Sequence, residues 1–298
     1  MGIIKSAELE ALRVGLSKVF QSALGRSRSW IDQVAATVPS NASIQTYGFY
    51  DRMVGMREWI GPRVVRNARE YSFEVRNVEY ELTFGIDRND LDDDTIGVAM
   101  PRVEMFAQSV AKHPDTLAKA VLQAGTSGLC FDGAAYFSGS HAWLDGYTTS
   151  QSNNHTSMAL SAANYGTVRS RMYGILGSDG EPIGAEPTLL VVPPALEGTA
   201  RSILSAEMVG NGESNVWRGS AELLVVPELQ NEPTVWYLMD TSKPVKPLLK
   251  QVRRAPAFVS KNQSTDDNVF FDRELLWGAD WRGAVSYGPW FLAHRAVA

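Results

Sequence analysis

The sequence contains almost no cysteine and no long hydrophobic run. Among 298 residues only Cys130 carries a thiol, which excludes an intramolecular disulfide and any multi-cysteine metal site. No apolar stretch approaches the roughly 20 residues that a membrane-spanning helix requires. The first residues, Met1 to Ser6, lack the apolar core of a secretory signal. We therefore expect packing and subunit contacts to stabilise the fold in a reducing compartment, without a membrane partner.

The sequence also has no excess of positive charge. It carries 28 basic and 33 acidic residues, a formal net charge of -5. Such a balance provides no long-range attraction to nucleic acid, so any contact with DNA is expected to be nonspecific. With 44% hydrophobic residues the chain can bury a sizeable core, and its length suits two modest domains.

Catalytic motifs are missing as well. The sequence contains no Gly-x-Ser-x-Gly elbow, no Walker loop and no His-Glu-x-x-His pair. Ser140-His141 near Asp145 resembles a fragment of a hydrolase triad, although adjacent residues on a turn rarely reach the required geometry. We predict that the protein is not an enzyme and needs no cofactor, and we retain a hydrolase using Ser140 and His141 as an alternative.

Three further patterns have a structural interpretation beside a functional one. The acidic run 87–94 suggests a calcium site. In a calcium-binding loop that starts at Asp90, however, Thr95 occupies the position that requires glycine and Pro101 the position that requires a bidentate glutamate. We therefore expect a helix N-terminus and no metal. The eight tryptophans are spread along the chain, which favours packing and interfaces over one ligand platform. The basic side chains within 246–254 form a solvated face or pair with an acidic patch on another subunit.

The apolar spacing predicts the first structural elements. Residues 6–24 repeat at three and four residues, as in an amphipathic helix that starts at Ser6 and stops at Gly25. Residues 26–48 show no clean period and are interpreted as an arm that lies on a neighbour. We therefore expect a chain without residues 1–45 to fold but not to assemble.

Strict alternation of apolar residues follows in 69–86, which predicts two strands that meet at Arg76-Asn77 and form a hairpin with one apolar face. A long helix is predicted from Pro101 to Ala124, kinked or divided at Pro114. Its expected apolar stripe consists of Met105, Phe106, Val110, Leu117, Val121 and Leu122. Beyond it, helices are expected at 160–176 and 194–208 and strands at 187–192, 221–226 and 235–239, before a mostly extended C-terminal segment.

The order of these elements resembles the gpT-like major head subunit of Mu-like phages. The resemblance covers nearly the whole chain and is carried by five tracts: Thr46-Tyr47-Gly48 with Arg57-Glu58-Trp59-Ile60-Gly61; Ile86 to Asp94; Ala111-Lys112-His113-Pro114-Asp115; Leu129-Cys130-Phe131-Asp132-Gly133; and Trp277-Gly278, Arg282, Gly288 and Trp290 near the end. No single tract is decisive, but five in the same order are difficult to obtain by chance.

This resemblance implies an α+β fold of the Hong Kong 97 capsid type. The family plan divides the chain into an N-terminal arm (1–58), an extended β-hairpin loop (59–82), a peripheral domain with a long spine helix (83–158 and 250–298) and an axial α/β domain (159–249). The implied function is that of a major capsid protein, which self-assembles as hexamers and pentamers into the icosahedral head around the double-stranded DNA genome of a tailed bacteriophage. An encapsulin-like compartment shell shares the fold and remains the alternative.

The resemblance also implies partners and places. We expect copies of the chain, a separate scaffolding protein, a portal and decoration proteins as partners, with assembly in the host cell cytoplasm and the product in the virion. Lysine-mediated cross-linking in the loop is not expected, because no lysine occurs between Lys18 and Lys112. The residues expected at intersubunit contacts are Leu9, Leu12, Leu16, Phe20, Trp59, Tyr71, Phe73, Arg76 and Tyr80.

Overall fold

The computed structural model describes residues 6–50, 70–87, 89, 99–143, 149–208, 212–263 and 265–298. Within these residues the helices are α1 (Ser6–Arg26), α2 (Ile31–Val34), α3 (Ala99–Gln123), α4 (Ala162–Tyr173), α5 (Glu197–Leu204) and α6 (Asp267–Phe271). None of them is both long and apolar enough to cross a bilayer. The chain within these ranges therefore shows the helices predicted from apolar spacing, with modest shifts at their ends.

The strands form three sheets. In chain order they are β1 (Ala35–Pro39), β2 (Ile44–Tyr50), β3 (Glu70–Arg76), β4 (Val78–Asp87), β5 (Asn154–His155), β6 (Leu189–Val192), β7 (Glu222–Val225), β8 (Val235–Met239), β9 (Leu248–Lys261), β10 (Glu274–Tyr287) and β11 (Ala293–Val297). One sheet has the order β1-β9-β10-β4, a second has the order β5-β11-β8-β6-β7, and β2 pairs with β3 alone. Helix and strand are mixed as the predicted α+β class requires.

The five-stranded sheet contains the larger core. Its central strands β6 and β8 are buried along their whole length, as expected for strands covered on both faces. Helix α4 packs there through Tyr165, Val168 and Met172, and it begins where Ser161 Oγ accepts the Asn164 N–H at 3.2 Å. The apolar run 187–192 thus becomes a buried strand, as predicted.

The four-stranded sheet contains a second core, formed against α1 and α3. Leu16 and Phe20 of α1 meet Val103 and Phe106 of α3 and Trp277 of β10, all of them buried. The ring of Phe20 lies 5.8 Å from that of Phe106. Aromatic and aliphatic side chains therefore hold the two helices on one face of this sheet.

The predicted hairpin of 69–86 is wrong in its pairing. Both strands exist, but β3 pairs antiparallel with β2, whereas β4 pairs antiparallel with β10. Asn77 is the residue between them and is 8% exposed. Period-two alternation identifies strands and their faces, but the partner strand was decided by a segment that lies almost 200 residues further along the chain.

Two details of the long helix also differ from expectation. The helix is not divided, because α3 continues through Pro114 without interruption. Met105, which we placed on the apolar stripe, is 67% exposed, whereas Phe106, Val110 and Leu122 are buried. The stripe therefore lies slightly to one side of the predicted one.

Candidate assembly site

The β2–β3 hairpin exposes most of its surface in the single subunit. Its register runs from Ile44 opposite Arg76 to Tyr50 opposite Glu70. Among the described residues of the two strands only Val75 is buried, and Ile44 is 39% exposed. Because an isolated two-stranded hairpin is marginally stable in water, this element benefits from a surface that covers it.

A cluster of buried and half-buried polar side chains connects the base of the hairpin to the four-stranded sheet. We call Ser40, Tyr47, Asn77 and Gln251 the basal cluster. Asn77 Nδ2 donates to Ser40 Oγ at 2.9 Å and to the Ala42 carbonyl at 2.7 Å. Gln251 Nε2 donates to Asn77 Oδ1 at 2.6 Å, and the Tyr47 hydroxyl donates to Gln251 Oε1 at 2.7 Å. The cluster therefore joins β2, β9 and the β3–β4 junction.

The basal cluster is satisfied and neutral. Ser40 and Gln251 are 3% and 0% exposed, and both polar atoms of each amide side chain have partners. Burial raises the pKa of Tyr47, so its hydroxyl stays protonated as a donor. A fully satisfied buried network of this kind specifies one geometry, here the direction in which the hairpin leaves the sheet.

Two of the predicted contact residues lie in the subunit's own core. Leu16 and Phe20 are 0% exposed, so a neighbour cannot reach them in this conformation. The expectation that a chain without residues 1–45 still folds stays a prediction, and two contacts argue against it: β1 pairs parallel with β9, and Ile31 and Val34 belong to the larger core. Helical periodicity predicts that a face is buried, but it does not tell which surface buries it.

The other predicted contact residues are divided between two sheets or are only partly described. Phe73 of β3 is half-buried against the larger core, and Arg76 at the end of β3 is exposed. Tyr80 lies in the four-stranded sheet, with its ring 5.3 Å from that of Trp281. Phe73 and Tyr80 therefore do not share one hairpin face. Trp59 lies outside the described residues, as do the side chains of Leu9, Leu12 and Tyr71 on the described backbone of α1 and β3.

The Ser140-His141 hydrolase hypothesis is contradicted by geometry. His141 is 0% exposed and stacks on Trp290 with ring centroids 4.1 Å apart. Its Nδ1 lies 2.6 Å from Asp132 Oδ2 and its Nε2 lies 3.1 Å from Asn153 Oδ1. Neither ring nitrogen is left to take a proton from Ser140, so this histidine is part of the core and not a general base.

A pair of buried histidines connects β5 to β11. His155 Nε2 lies 2.9 Å from His294 Nδ1, and an Arg171 guanidinium nitrogen lies 3.0 Å from His155 Nδ1. Burial, followed by the charge of Arg171, lowers the pKa of His155 to about 4. Burial, followed by the charges of His155, His141 and Arg171, holds the pKa of His294 well below its usual value. Both rings are thus neutral at pH 7.

The basic segment 246–254 is used mainly inside the subunit. Lys250 pairs with the Asp32 carboxylate, and Lys246 Nζ donates to the Asp32 carbonyl at 2.7 Å. Arg254 pairs with Asp280 at 2.6 Å. The acidic patch that we sought on another subunit is therefore supplied in part by this one.

The remaining candidate sites are the acidic run and the tryptophans. Within the described ranges no three His, Cys, Asp or Glu side chains are arranged to hold a metal ion. The acidic run 87–94 lies mostly outside these ranges. Trp236, Trp277 and Trp290 are fully buried, which agrees with the packing interpretation of the tryptophans.

Comparison with known proteins identifies the family. The model of the Mu-like prophage major head subunit gpT matches residues 9–159, 146–229 and 228–298. The chain belongs to this family. Mu-like major head subunits are structural capsid proteins and not enzymes. The function expected from the sequence, a major capsid protein of a tailed bacteriophage, is thereby confirmed.

Relatives with curated descriptions match over nearly the full chain. The major capsid protein of Escherichia phage Mu is 27% identical over 98% of this chain and 74% of its own length. The Mu-like prophage FluMu major head subunit of Haemophilus influenzae is 25% identical over 96% of this chain and 72% of its own length. This Mu-like head subunit is therefore similar to its relatives along its whole described course.

Solved capsids confirm the Hong Kong 97-type fold. The procapsid of bacteriophage JBD30 matches with a TM-score of 0.63 and 28% identity, covering 99% of this chain and 76% of that one. The capsid of cyanophage P-SCSP1u matches with a TM-score of 0.60 at 8% identity, covering 92% and 89% of the two chains. A virus-like particle from Pyrococcus furiosus matches with a TM-score of 0.53 at 11% identity, covering 94% and 97%, which shows a shared fold alone.

Proposed function

We propose that this head subunit associates with copies of itself as hexamers and pentamers and so builds the icosahedral shell around the phage genome. The observation that carries the proposal is the match of the family over residues 9–298, together with a hairpin that leaves most of its surface uncovered in one subunit. A head-to-tail contact repeated around an axis closes a ring, and one subunit serves rings of two sizes when its peripheral elements adjust.

The division into domains follows the sheets. The four-stranded sheet with α1 and α3 forms the peripheral domain, and the five-stranded sheet with α4 and α5 forms the axial domain. The axial sheet takes β5 and β11 from segments that the family plan assigns to the peripheral domain. The extended loop is the β2–β3 hairpin with residues 51–69 between its strands, and β4 belongs to the peripheral sheet.

Intersubunit contact is provided first by the hairpin. Phe73 and Arg76 lie on β3, on the same element as Tyr71, and Trp59 lies in the segment between the strands. Tyr80 contributes from the peripheral sheet, and Leu9 and Leu12 contribute from the first turns of α1. Apolar area buried between copies then replaces area that one subunit cannot bury by itself.

Further partners join the shell in the host cell cytoplasm. A scaffolding protein directs assembly, a portal occupies one vertex, and decoration proteins bind the finished head, which becomes part of the virion. Packaged double-stranded DNA contacts the inner surface without sequence preference, in keeping with the net charge of -5. The similarity to a JBD30 procapsid and to a JBD30 capsid decorated with minor capsid protein trimers supports these roles.

Electron microscopy of the purified full-length chain, alone and with a scaffolding partner, tests the proposal. We expect closed shells of uniform diameter that present hexameric and pentameric units. A monomer under every condition would contradict it. Closed shells that enclose a host enzyme and never DNA would instead support the encapsulin-like alternative.

A matched pair of substitutions tests the hairpin's contribution. Ile44→Asp places a charge on the hairpin, whereas Val245→Asp places the same charge at a site of nearly equal exposure outside it, 38% against 39%. Both variants should fold, because neither side chain is buried. We expect the first to reduce shell yield at least tenfold and the second to leave it unchanged. Equal yields would show that this part of the hairpin is not an interface.

A further inference from the structure

Two phenylalanines at the far end of the peripheral sheet are unusually exposed. Phe270 and Phe271 close the short helix α6, which connects the two 14-residue strands β9 and β10. Each is 74% exposed, and their ring centroids are 5.0 Å apart at 90°. Single exposed apolar residues need no explanation, but two adjacent aromatic rings form a contact patch.

This turn is held in place by its other residues. Val269 is 5% exposed and belongs to the peripheral core. Asn268 Nδ2 donates to the Lys261 carbonyl at 2.9 Å and to the Glu274 carbonyl at 2.6 Å. The two rings are therefore presented to solvent by an anchored element, so presenting them to a partner costs little ordering entropy.

The same sheet carries a mostly apolar surface pocket about midway along β10. Its volume is about 150 Å³, and its wall includes Tyr80, Leu82, Val110, His113, Ala279 and Trp281. An apolar cavity of about 150 Å³ holds one benzene ring. His113 Nε2 is buried there without a hydrogen-bond partner, so an aromatic ring can cover it without displacing a hydrogen bond.

The phenylalanine pair cannot fill the pocket of its own subunit. The pocket lies where Tyr80 faces Trp281 and Leu82 faces Ala279, whereas the pair precedes the start of β10 at Glu274. At about 3.3 Å per residue the two features are roughly 15 to 25 Å apart along the strands. A pair of rings and a pocket at two separate positions on one sheet are suited to a head-to-tail contact between copies.

We propose that Phe270 and Phe271 of one copy dock into the Tyr80–Trp281 pocket of a second copy, with one ring inside and the other against the exposed edge of Leu82. This inference rests on the proposed self-assembly and assigns it a specific contact. The occupant is a second copy because the family builds shells and because the subunit carries both complementary parts. The contact lies in the peripheral sheet and is separate from the hairpin.

Paired variants of the full-length chain test the contact from both sides. Phe270→Ser with Phe271→Ser removes the rings, and Ser109→Trp fills the pocket from an exposed position on α3. We expect both variants to melt like the wild type and to give at least tenfold fewer closed shells. Val216→Ser, which changes an apolar side chain that is 79% exposed elsewhere, should assemble normally.

Disulfide trapping identifies the occupant directly. The only native thiol, Cys130, is buried, and burial raises its pKa to about 12, so it does not compete. Chains carrying Phe270→Cys are co-assembled with chains carrying Ser109→Cys and then oxidised, and we expect a covalent dimer of one chain of each kind. Normal shells from the double serine variant would overturn the proposal. A double serine variant that fails to assemble would also overturn it if the cysteine chains do not cross-link and Ser109→Trp has no effect on assembly. Wild-type chains that never form shells would instead contradict the proposed function.

Discussion

The axial sheet and the β2–β3 hairpin bury their residues in opposite ways. In the axial sheet, β6 and β8 are buried at every position, and helices and loops cover both faces. In the hairpin, the two strands pair with each other and with no third strand among the described residues, and most of the described positions are exposed. The axial sheet completes its core within one subunit, whereas we propose that other copies cover the hairpin.

This contrast separates stability from assembly. A change in the axial sheet alters folding of the subunit before any contact with a copy is made. We expect a change in the hairpin or in its basal cluster to leave the subunit folded and to alter how copies associate.

The largest effect is expected from Trp236→Ala in the axial sheet. Trp236 is 0% exposed on β8, and its Nε1–H donates to the Met158 carbonyl at 2.9 Å. Removing a buried tryptophan costs about 3–5 kcal/mol. Urea unfolding of the soluble subunit measures this loss, and Phe73→Ala in the hairpin should cost clearly less. Equal losses would show that the hairpin is as self-sufficient as the axial sheet.

A smaller effect is expected at the basal cluster. Asn77→Leu removes the donor to Ser40 and the Ala42 carbonyl and leaves Gln251 Nε2 without its closest acceptor. Leaving such groups unsatisfied costs about 1–3 kcal/mol. We expect a folded subunit whose particles are irregular in diameter by electron microscopy. Gln230→Leu, at an exposed position, is the control. Uniform particles from both variants would show that the basal cluster does not affect assembly.

Acid is expected to weaken the axial sheet in a defined window. Because the pKa of His155 is about 4 in the folded protein and 6.5 in a model peptide, the unfolded chain binds the proton first as pH falls. The contribution of neutral His155 to the free energy of unfolding is complete above pH 6.5, decreases between pH 6.5 and pH 4, and levels off below pH 4. The charges of His155, His141 and Arg171 disfavour protonation of the neighbouring His294. The urea concentration at half unfolding, measured as a function of pH, should fall less steeply for His155→Gln than for the wild type. Identical pH dependence in the two proteins would contradict this account.

The smallest effect is expected at an exposed ion pair. Arg201 and Glu197 are 2.8 Å apart at i,i+4 spacing on α5, with side chains 62% and 40% exposed. Such pairs contribute about 0.3–0.5 kcal/mol. Glu197→Gln should therefore shift the melting temperature by no more than a degree or two and leave assembly intact. A larger shift would indicate that α5 touches another subunit.

Much of the fold followed from local sequence pattern. The period of 3.6 located α1 and α3, and the apolar run of 187–192 located β6, because those signals lie within a few neighbouring residues. The pairing of β4 with β10 did not follow, since alternation in 78–87 is equally compatible with β3 as a partner. The burial of Leu16 and Phe20 within the subunit could not be predicted either, because the pattern of an amphipathic helix does not show which surface covers its apolar face.

The assembly site was less accessible from sequence. Asn77 stood at an expected turn, and only the fold brings it to Gln251, 174 residues away. Phe270 and Phe271 look like core residues in the sequence, and their exposure depends on which side chain of α6 turns inward, here Val269. The position of Asn77 where the two predicted strands meet was the one available signal for the basal cluster.

Hydrogen exchange on free subunits and on assembled shells tests the central contrast most directly. Amides of β2 and β3 should exchange quickly in the free subunit and become protected by at least tenfold on assembly, while those of β6 and β8 stay equally protected in both states. A hairpin that is already protected in the free subunit, or that remains unprotected in the shell, would contradict the account.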